Sequence, residues 1–405
     1  MNNGIKKLGP GLLFAGAAIG VSHLVQSTRA GADFGLGLIW ALVCVHIFKY
    51  PFFQFGPRYA AATGESLLEG YKKLGKGVLA VYFTITLATM FTIQTAVTIV
   101  TAGIASALFK DFLPLQYWTV IILCVCFLIL IIGKYKVLDQ LMKLIIITLS
   151  ISTVIAVVMA YPKTETYQLN WQQLVPETTT QIAFLIAFMG WMPAPLDISI
   201  WHSLWTIEKA KSKTKLTPKS ALFDFNIGFF TTIFLGLGFM FLGYFVMFNT
   251  GESFSDSASV FANQLITMYT THLGQWAFVL IGLAALTTMF STTLTTLDAS
   301  PRSMAESAKL LFGKSHKHGY LIWMFILALG TVIIFFFLAS EMGLLIKTAT
   351  ILSFLTAPFY AISNYVLISS KHTPKGWRPS KPLHVLSWLG ILFLIGFSIW
   401  YLSVL

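Results

Sequence analysis

Charge is what this 405-residue sequence has least of: only 10% of its residues are Asp, Glu, Lys or Arg. An average soluble domain carries about 25%. A water-facing surface cannot be built from so few charges, which excludes an ordinary soluble enzyme, a disordered chain and a nucleic-acid binder. Cysteine is scarce as well. Cys44, Cys124 and Cys126 all lie inside apolar runs, so neither a disulfide framework nor a zinc motif can be assembled, and they read as small buried residues. The sequence shows no Walker motif, nucleophile–base pair or cofactor fingerprint. Neither ATP-driven pumping nor catalysis is expected, and no cofactor.

What is abundant is apolar bulk. Hydrophobic residues make up 56% of the chain, with Phe alone at 35 residues. A membrane-spanning helix needs about 20 apolar residues. The chain divides into eleven such spans, at Leu8–Gly31, Gly37–Ala61, Val78–Phe109, Leu115–Gly133, Leu138–Tyr161, Thr179–Trp205, Leu222–Phe248, Trp276–Met304, Tyr320–Leu338, Gly343–Ser369 and Leu383–Leu405. The expected fold class is therefore an all-α integral membrane protein. Lys6 and Lys7 precede the first apolar run, but that run merges into a full span, so no cleavable signal peptide is expected. Two further stretches, Ser66–Leu74 and Val260–Tyr269, read as helices lying along the inner and outer interfaces.

Charge placement tests the count. The net charge is +12, with 27 basic residues. Arg29, Lys110 and Lys163 fall on one side, Lys49 and Lys347 fall within spans, and the remaining 22 share the side of the N-terminus. Basic residues concentrate in cytoplasmic loops. This orientation puts the N-terminus in the cytoplasm and the C-terminus outside, in a multi-pass protein of the cell membrane. The basic run Lys209–Lys219 is then a topology signal, not a nucleic-acid patch. The outer side carries Asp33, Asp111, Glu165, Glu177, Glu252, Asp256 and Glu341, seven acids that would attract cations.

Two spans carry helix-breaking chemistry near mid-depth. The first is interrupted by Gly16, Gly20, Ser22 and His23, the sixth by Gly190, Pro193 and Pro195. A proline inside a helix removes a backbone donor and clashes with the preceding turn. Non-helical backbone at membrane depth survives only where it is buried or lines a cavity. Spans one and six begin corresponding halves if residues 1–161 and 162–369 are repeats of five spans each, with an added span in 370–405. Repeats of five must insert in opposite orientations. Interrupted helices at matching positions of inverted repeats point to a transporter's central site.

At these residues the chain resembles the Nramp family of proton-coupled divalent-metal transporters. The likeness runs through Gly9-Pro10, the broken first span, Gly31-Ala32-Asp33-Phe34-Gly35 and Trp40, and returns at Trp201-His202-Ser203. It implies the LeuT fold, with spans one to five and six to ten as inverted repeats and helices 1 and 6 broken at mid-membrane, and a monomer. The family's metal ligands align with Gly20 in place of an Asp, His23 in place of an Asn, and the Pro195-Leu196-Asp197 segment in place of Met-Pro-His. Its acidic pair on the third span aligns with Gln94 and Val97. The resemblance thus implies a metal cargo, while the aligned residues lack the ligands that usually hold it.

The central-cavity candidates are Gly20, Ser22, His23, Gln26, Gln94, Trp191, Met192, Pro195 and Asp197. His23 and Asp197 are the candidate metal ligands and proton carriers, and they could pair. A carboxylate near the bilayer centre costs about 2.5–3.5 kcal/mol on insertion scales and is a functional candidate by default. The eighth span carries Thr287, Thr288, Ser291, Thr292, Thr295 and Thr296. In the LeuT fold, hydroxyls of this span join carbonyls of the first break around Na+, which nominates Ser291 and Thr292 with the carbonyl of Ala17 or Gly20. Thr348, Thr350, Ser353 and Asn364 add polar groups on the tenth span. Asp224 and Asp298 read as solvated or salt-bridged, and Arg29 with Asp33 as interfacial charges or a gate pair. Two cargoes remain open: a divalent cation held by oxygens, and a small organic solute such as an amino acid or amine, coupled to Na+ or H+.

Overall fold

The computed structural model describes residues 9–109, 112–161, 169–211, 217–248, 250, 254–255, 258–274, 277–313, 316–338 and 342–404. Of the charges counted above, Lys6, Lys7, Lys110, Lys163, Lys213, Lys215, Lys314, Asp111, Glu165, Glu252, Asp256 and Glu341 lie outside these residues. Among the described residues the secondary structure is entirely helical. Nine described helical segments are long and apolar enough to cross a membrane. The sixth expected span is not among them because it is divided, into Thr179–Trp191 and Ile198–Lys211. The eighth corresponds to Ala277–Phe312, which runs on past the expected end at Met304. The expected fourth and fifth spans fall within one helix, Leu115–Ala160, whose helical backbone continues through the basic segment between them.

The first span lies at the centre, and its most apolar window is wholly buried. It is helical over Pro10–Ala18, leaves helical geometry at Ile19 and Gly20, resumes as a π-helix over Val21–Ser27 and ends as an α-helix over Thr28–Phe34. Wide π turns of this kind gather at functional sites. The seventh span, Pro218–Met247, packs along the whole first span. Glycines permit that closeness. A Cβ on Gly228 would overlap the Gly11 carbonyl, and one on Gly243 the Thr28 carbonyl. At the N-terminal end of the first span, buried Asp224 accepts the Gly9 N–H at 3.0 Å and the Gly11 N–H at 2.8 Å. It is neither solvated nor salt-bridged; it caps the first helix, whose positive end favours an anion.

The outer ring faces lipid. Large apolar side chains stand exposed on the fourth, fifth, ninth and eleventh spans, with Ile132 80% and Phe337 83% exposed. So much exposed hydrocarbon is stable only in a bilayer. Leu67–Leu74 is helical where an interfacial helix was expected, started by a capping box between Ser66 and Glu69. Ala258–Leu273 is helical over the second such stretch.

Candidate functional site

A small cavity of about 30 Å³ lies where the two breaks meet. Of the central-cavity candidates Ser22, Trp191 and Pro195 line it, together with Ala17 and Thr292 from the coupling-ion candidates. Ile93, Val97, Ile198, Trp201 and Thr296 line it without having been nominated. Gly20, His23, Gln26, Gln94, Met192, Asp197 and Ser291 are buried around it without lining it. The walls are therefore mostly apolar, with two indoles and three hydroxyls. Trp191 is held in place by its Nε1–H, which donates to Ser353 Oγ at 2.9 Å.

The first break is tied together through Ser22 and His23. Ser22 Oγ lies 2.7 Å from the Ala18 carbonyl and 2.7 Å from His23 Nδ1, and 3.5 Å from the Pro193 carbonyl of the other break. His23 Nε2 donates to the Thr232 carbonyl at 3.0 Å. Both ring nitrogens are thus engaged, and the bonding of His23 runs to Ser22 and the seventh span instead of to Asp197. Asp197 Oδ1 is buried without a hydrogen-bond partner. Gln94 donates to Thr98 Oγ1 and to the Thr293 carbonyl, bridging the third and eighth spans. Gln26 is buried with its Oε1 unpartnered.

Where the first break meets the eighth span, oxygens outnumber protons. The Gly20 N–H donates to Ala18 and the His23 N–H to Gly20, which leaves the Gly16 and Ile19 carbonyls without backbone donors. Ser291 Oγ is 3.3 Å from the Gly16 oxygen, and Thr292 Oγ1 is 3.2 Å from it and 3.3 Å from the Ile19 oxygen. The Ser291 proton is already taken by the Thr288 carbonyl at 2.7 Å. The carbonyls are those of Gly16 and Ile19, one residue before the expected Ala17 and Gly20. The break begins one residue earlier than sequence alignment suggests, because Ile19 has already left helical geometry. Thr287, Thr288, Thr295 and Thr296 bond back to their own helix.

The second break holds a group the sequence reading passed over. Lys49, on the second span Ile39–Thr63, is fully buried. Its ammonium donates to the carbonyls of Met189, Gly190 and Met192 at 2.8, 2.8 and 2.9 Å and lies 3.4 Å from that of Ala194. The signal was available: a lone cation inside an apolar span needs a partner. On the eighth span, Asp298 pairs with Arg302 at 2.6 Å and accepts from Tyr320 at 2.9 Å and Trp205 at 3.1 Å. It is salt-bridged but buried. Arg29 reaches the Ser255 carbonyl at 2.7 Å and lies over the Phe261 ring. On the tenth span, Asn364 accepts from Tyr71 and donates to Ser199.

A family model described as natural resistance-associated macrophage protein-like (Nramp) matches residues 11–403. An uncharacterized protein of Pasteurella multocida is 34% identical over 402 residues, covering 98% of this chain and 92% of its own. Among solved structures, a manganese transporter of Eremococcus coleocola, in complex with an aromatic bis-isothiourea compound, superposes with a TM-score of 0.73 at 13% identity, covering 98% of this chain and 85% of that one. MhsT in complex with L-phenylalanine superposes at 0.65 and 13% identity, covering 98% of both chains. Mhp1, a nucleobase-cation-symport-1 family transporter, superposes at 0.62 and 14% identity, covering 98% and 92%. The fold they share with this chain is the LeuT fold.

Proposed function

The chain belongs to the Nramp family, an integral-membrane transporter family and not an enzyme class, and from that membership we propose a secondary-active transporter that works by alternating access around the breaks of its first and sixth spans. Its cargo is a metal cation, carried without the family's usual Asp and Met ligands, and its coupling ion is Na+ or H+. The N-terminus and the even-numbered connections face the cytoplasm. Residues 1–161 and 162–369 form the inverted repeats, 370–405 adds the eleventh span, and the unit is a monomer.

The observation that carries this reading is the excess of acceptor oxygens at Gly16, Ile19, Ser291 and Thr292. Neighbouring ligands of an octahedral ion are about 3.3–3.7 Å apart at Ca2+–oxygen distances and about 2.8–3.0 Å apart at Mg2+–oxygen distances. The observed 3.2–3.3 Å fits an ion larger than Mg2+. The cluster contains no formal charge, which suits a monovalent coupling ion such as Na+. The cargo metal would then sit in the central cavity, with oxygen ligands from Ser22, the Pro193 carbonyl and Asp197 drawn toward it.

One observation favours a second cargo, a small organic solute such as an amino acid or amine. The cavity walls are aliphatic and indole, and among the described residues no carboxylate lines them. Thermal stability of the purified protein separates the two, because ligands of the folded state raise it. Mn2+, Mg2+, Ca2+, Na+ and a panel of amino acids would each be titrated. Na+ is expected to stabilise the protein, with apparent affinity at least tenfold weaker in Ser291→Ala and Thr292→Ala. A divalent-ion response lost in Asp197→Ala supports the metal cargo. A response to amino acids alone sinks it.

A further inference from the structure

Lys49 is the one cation described in the transport core that ends on backbone alone. Helix Thr179–Trp191 ends at the break, and its last carbonyls have no helical donors. They carry the negative end of the helix dipole. An ammonium has three protons, and three carbonyls stand at 2.8–2.9 Å to receive them. The match is to the charged form: a neutral amine would donate two bonds and turn a lone pair toward the third oxygen. A ring of outward-facing carbonyls beside a cavity is also what a metal ion or Na+ would seek. Lysine, unlike arginine, can give up its proton.

We infer that Lys49 is a proton-carrying group of this transporter, a tethered cation whose ammonium closes the carbonyl ring of the sixth-span break and whose deprotonation opens that ring to an inorganic cation from the cavity. The proton passes to water entering from the cavity, the neutral amine withdraws from the carbonyls, and one cation takes its place among the same oxygens. The inference rests on the transporter reading and adds to it a coupling proton and its site.

The surrounding ionisable groups are few. His46 sits one turn earlier on the same face of the second span, within electrostatic reach of Lys49 and of His23 at the first break. Its Nδ1–H donates to the Leu42 carbonyl, and its Nε2 is buried without a partner. Of the elements packed against the second span, helix Thr179–Trp191 brings no titratable side chain. Ile198–Lys211, with the residue before it, brings Asp197 and His202, with Glu208, Lys209 and Lys211 at its cytoplasmic end; His202 stacks on Phe14. The seventh span brings Asp224, bound to Gly9 and Gly11, with Lys219 and Tyr244 toward its two ends. The tenth brings Lys347, Tyr360 and Tyr365, and the eleventh Lys381, His384 and Tyr401, with His384 bonded to Tyr365.

The test uses the full chain in a Ser291→Ala/Thr292→Ala background, so that the eighth-span oxygens do not contribute. Thermal stability is followed against Na+, Mg2+ and Mn2+ at pH 6 and pH 8.5. The parent is expected to bind at least one of these cations tenfold or more tightly at the higher pH. Lys49→Arg, permanently charged, should respond at neither pH, and Lys49→Met equally at both. A parent with the same affinity at both pH values overturns the inference, as does a Lys49→Met protein that keeps the pH dependence. So does the absence of any cation response in both. If Lys49→Met does not fold, Lys49→Arg decides, since a response like the parent's overturns the role. Uptake by the wild-type chain in proteoliposomes tests the transporter reading separately. Uptake without the pH-linked response sinks only Lys49, and the pH-linked response without uptake sinks only transport.

Discussion

Gly20 and Thr292 have to be understood together. A side chain at position 20 would run into the Thr292 hydroxyl, so the family's Asp and this chain's eighth-span threonine cannot occupy the same space. Restoring the acid by Gly20→Asp is therefore expected to lower the melting temperature and abolish the Na+ response together, with an overpacking cost of about 1–3 kcal/mol. A stable variant that gains Mn2+ binding would argue that the cluster is dispensable. Other parts of the site were harder to see in the sequence. Ser22, Trp191, Pro195 and Thr292 stood out because they are polar, aromatic or helix-breaking in an apolar run. Ile93, Val97 and Ile198 carry no such mark, and only the packing of the third span and of the helix beyond the sixth break brings them to the cavity. Trp201 stood out only as part of the Trp201-His202-Ser203 segment, because one sequence cannot say which face of an indole meets empty space. Lys49 was visible as a charge, but its partners are carbonyls, which any sequence would supply.

Among the elements, both breaks were legible because glycine and proline mark them directly. The form in which the first span resumes was not: a π turn over Val21–Ser27 follows from how that segment packs, and no residue type encodes it. The helical backbone from Leu115 to Ala160 carries both expected spans, Leu115–Ile132 and Val137–Ala160, with Lys134 and Lys136 between them where a loop was expected. Lysine is a good helix former, so a basic segment need not interrupt the backbone. The seam between the first and seventh spans depends on small residues, as close helix pairs in membranes do. Gly228→Leu should force the two helices apart, lowering the melting temperature and removing uptake. Gly376→Ala, where an added Cβ meets nothing within 4 Å, is the matched substitution expected to change neither. Equal melting temperatures for the two variants would show that the seam does not hold the first span.

For the whole molecule, low charge was enough to read a membrane protein, and the one-sided basic pattern predicts an orientation. That orientation can be checked with single cysteines placed after Cys44, Cys124 and Cys126 have been replaced. A membrane-impermeant maleimide applied to intact cells should label Gln172→Cys, and should label Lys375→Cys only after permeabilisation. The reverse pattern would invert the topology. The overall architecture also sets how readily the Asp224 end of the first span can open. Asp224 holds the N-terminal tip of that span by two N–H groups, and bonds to a charged acceptor contribute about 1.5–3 kcal/mol each. Any conformation in which that tip swings away forfeits both together, about 3–6 kcal/mol. At a factor of ten for every 1.4 kcal/mol, such a state holds roughly one molecule in 10² to 10⁴ until another contact compensates. The carboxylate on the seventh span thus works as a latch, and its strength sets how seldom an unloaded carrier leaks.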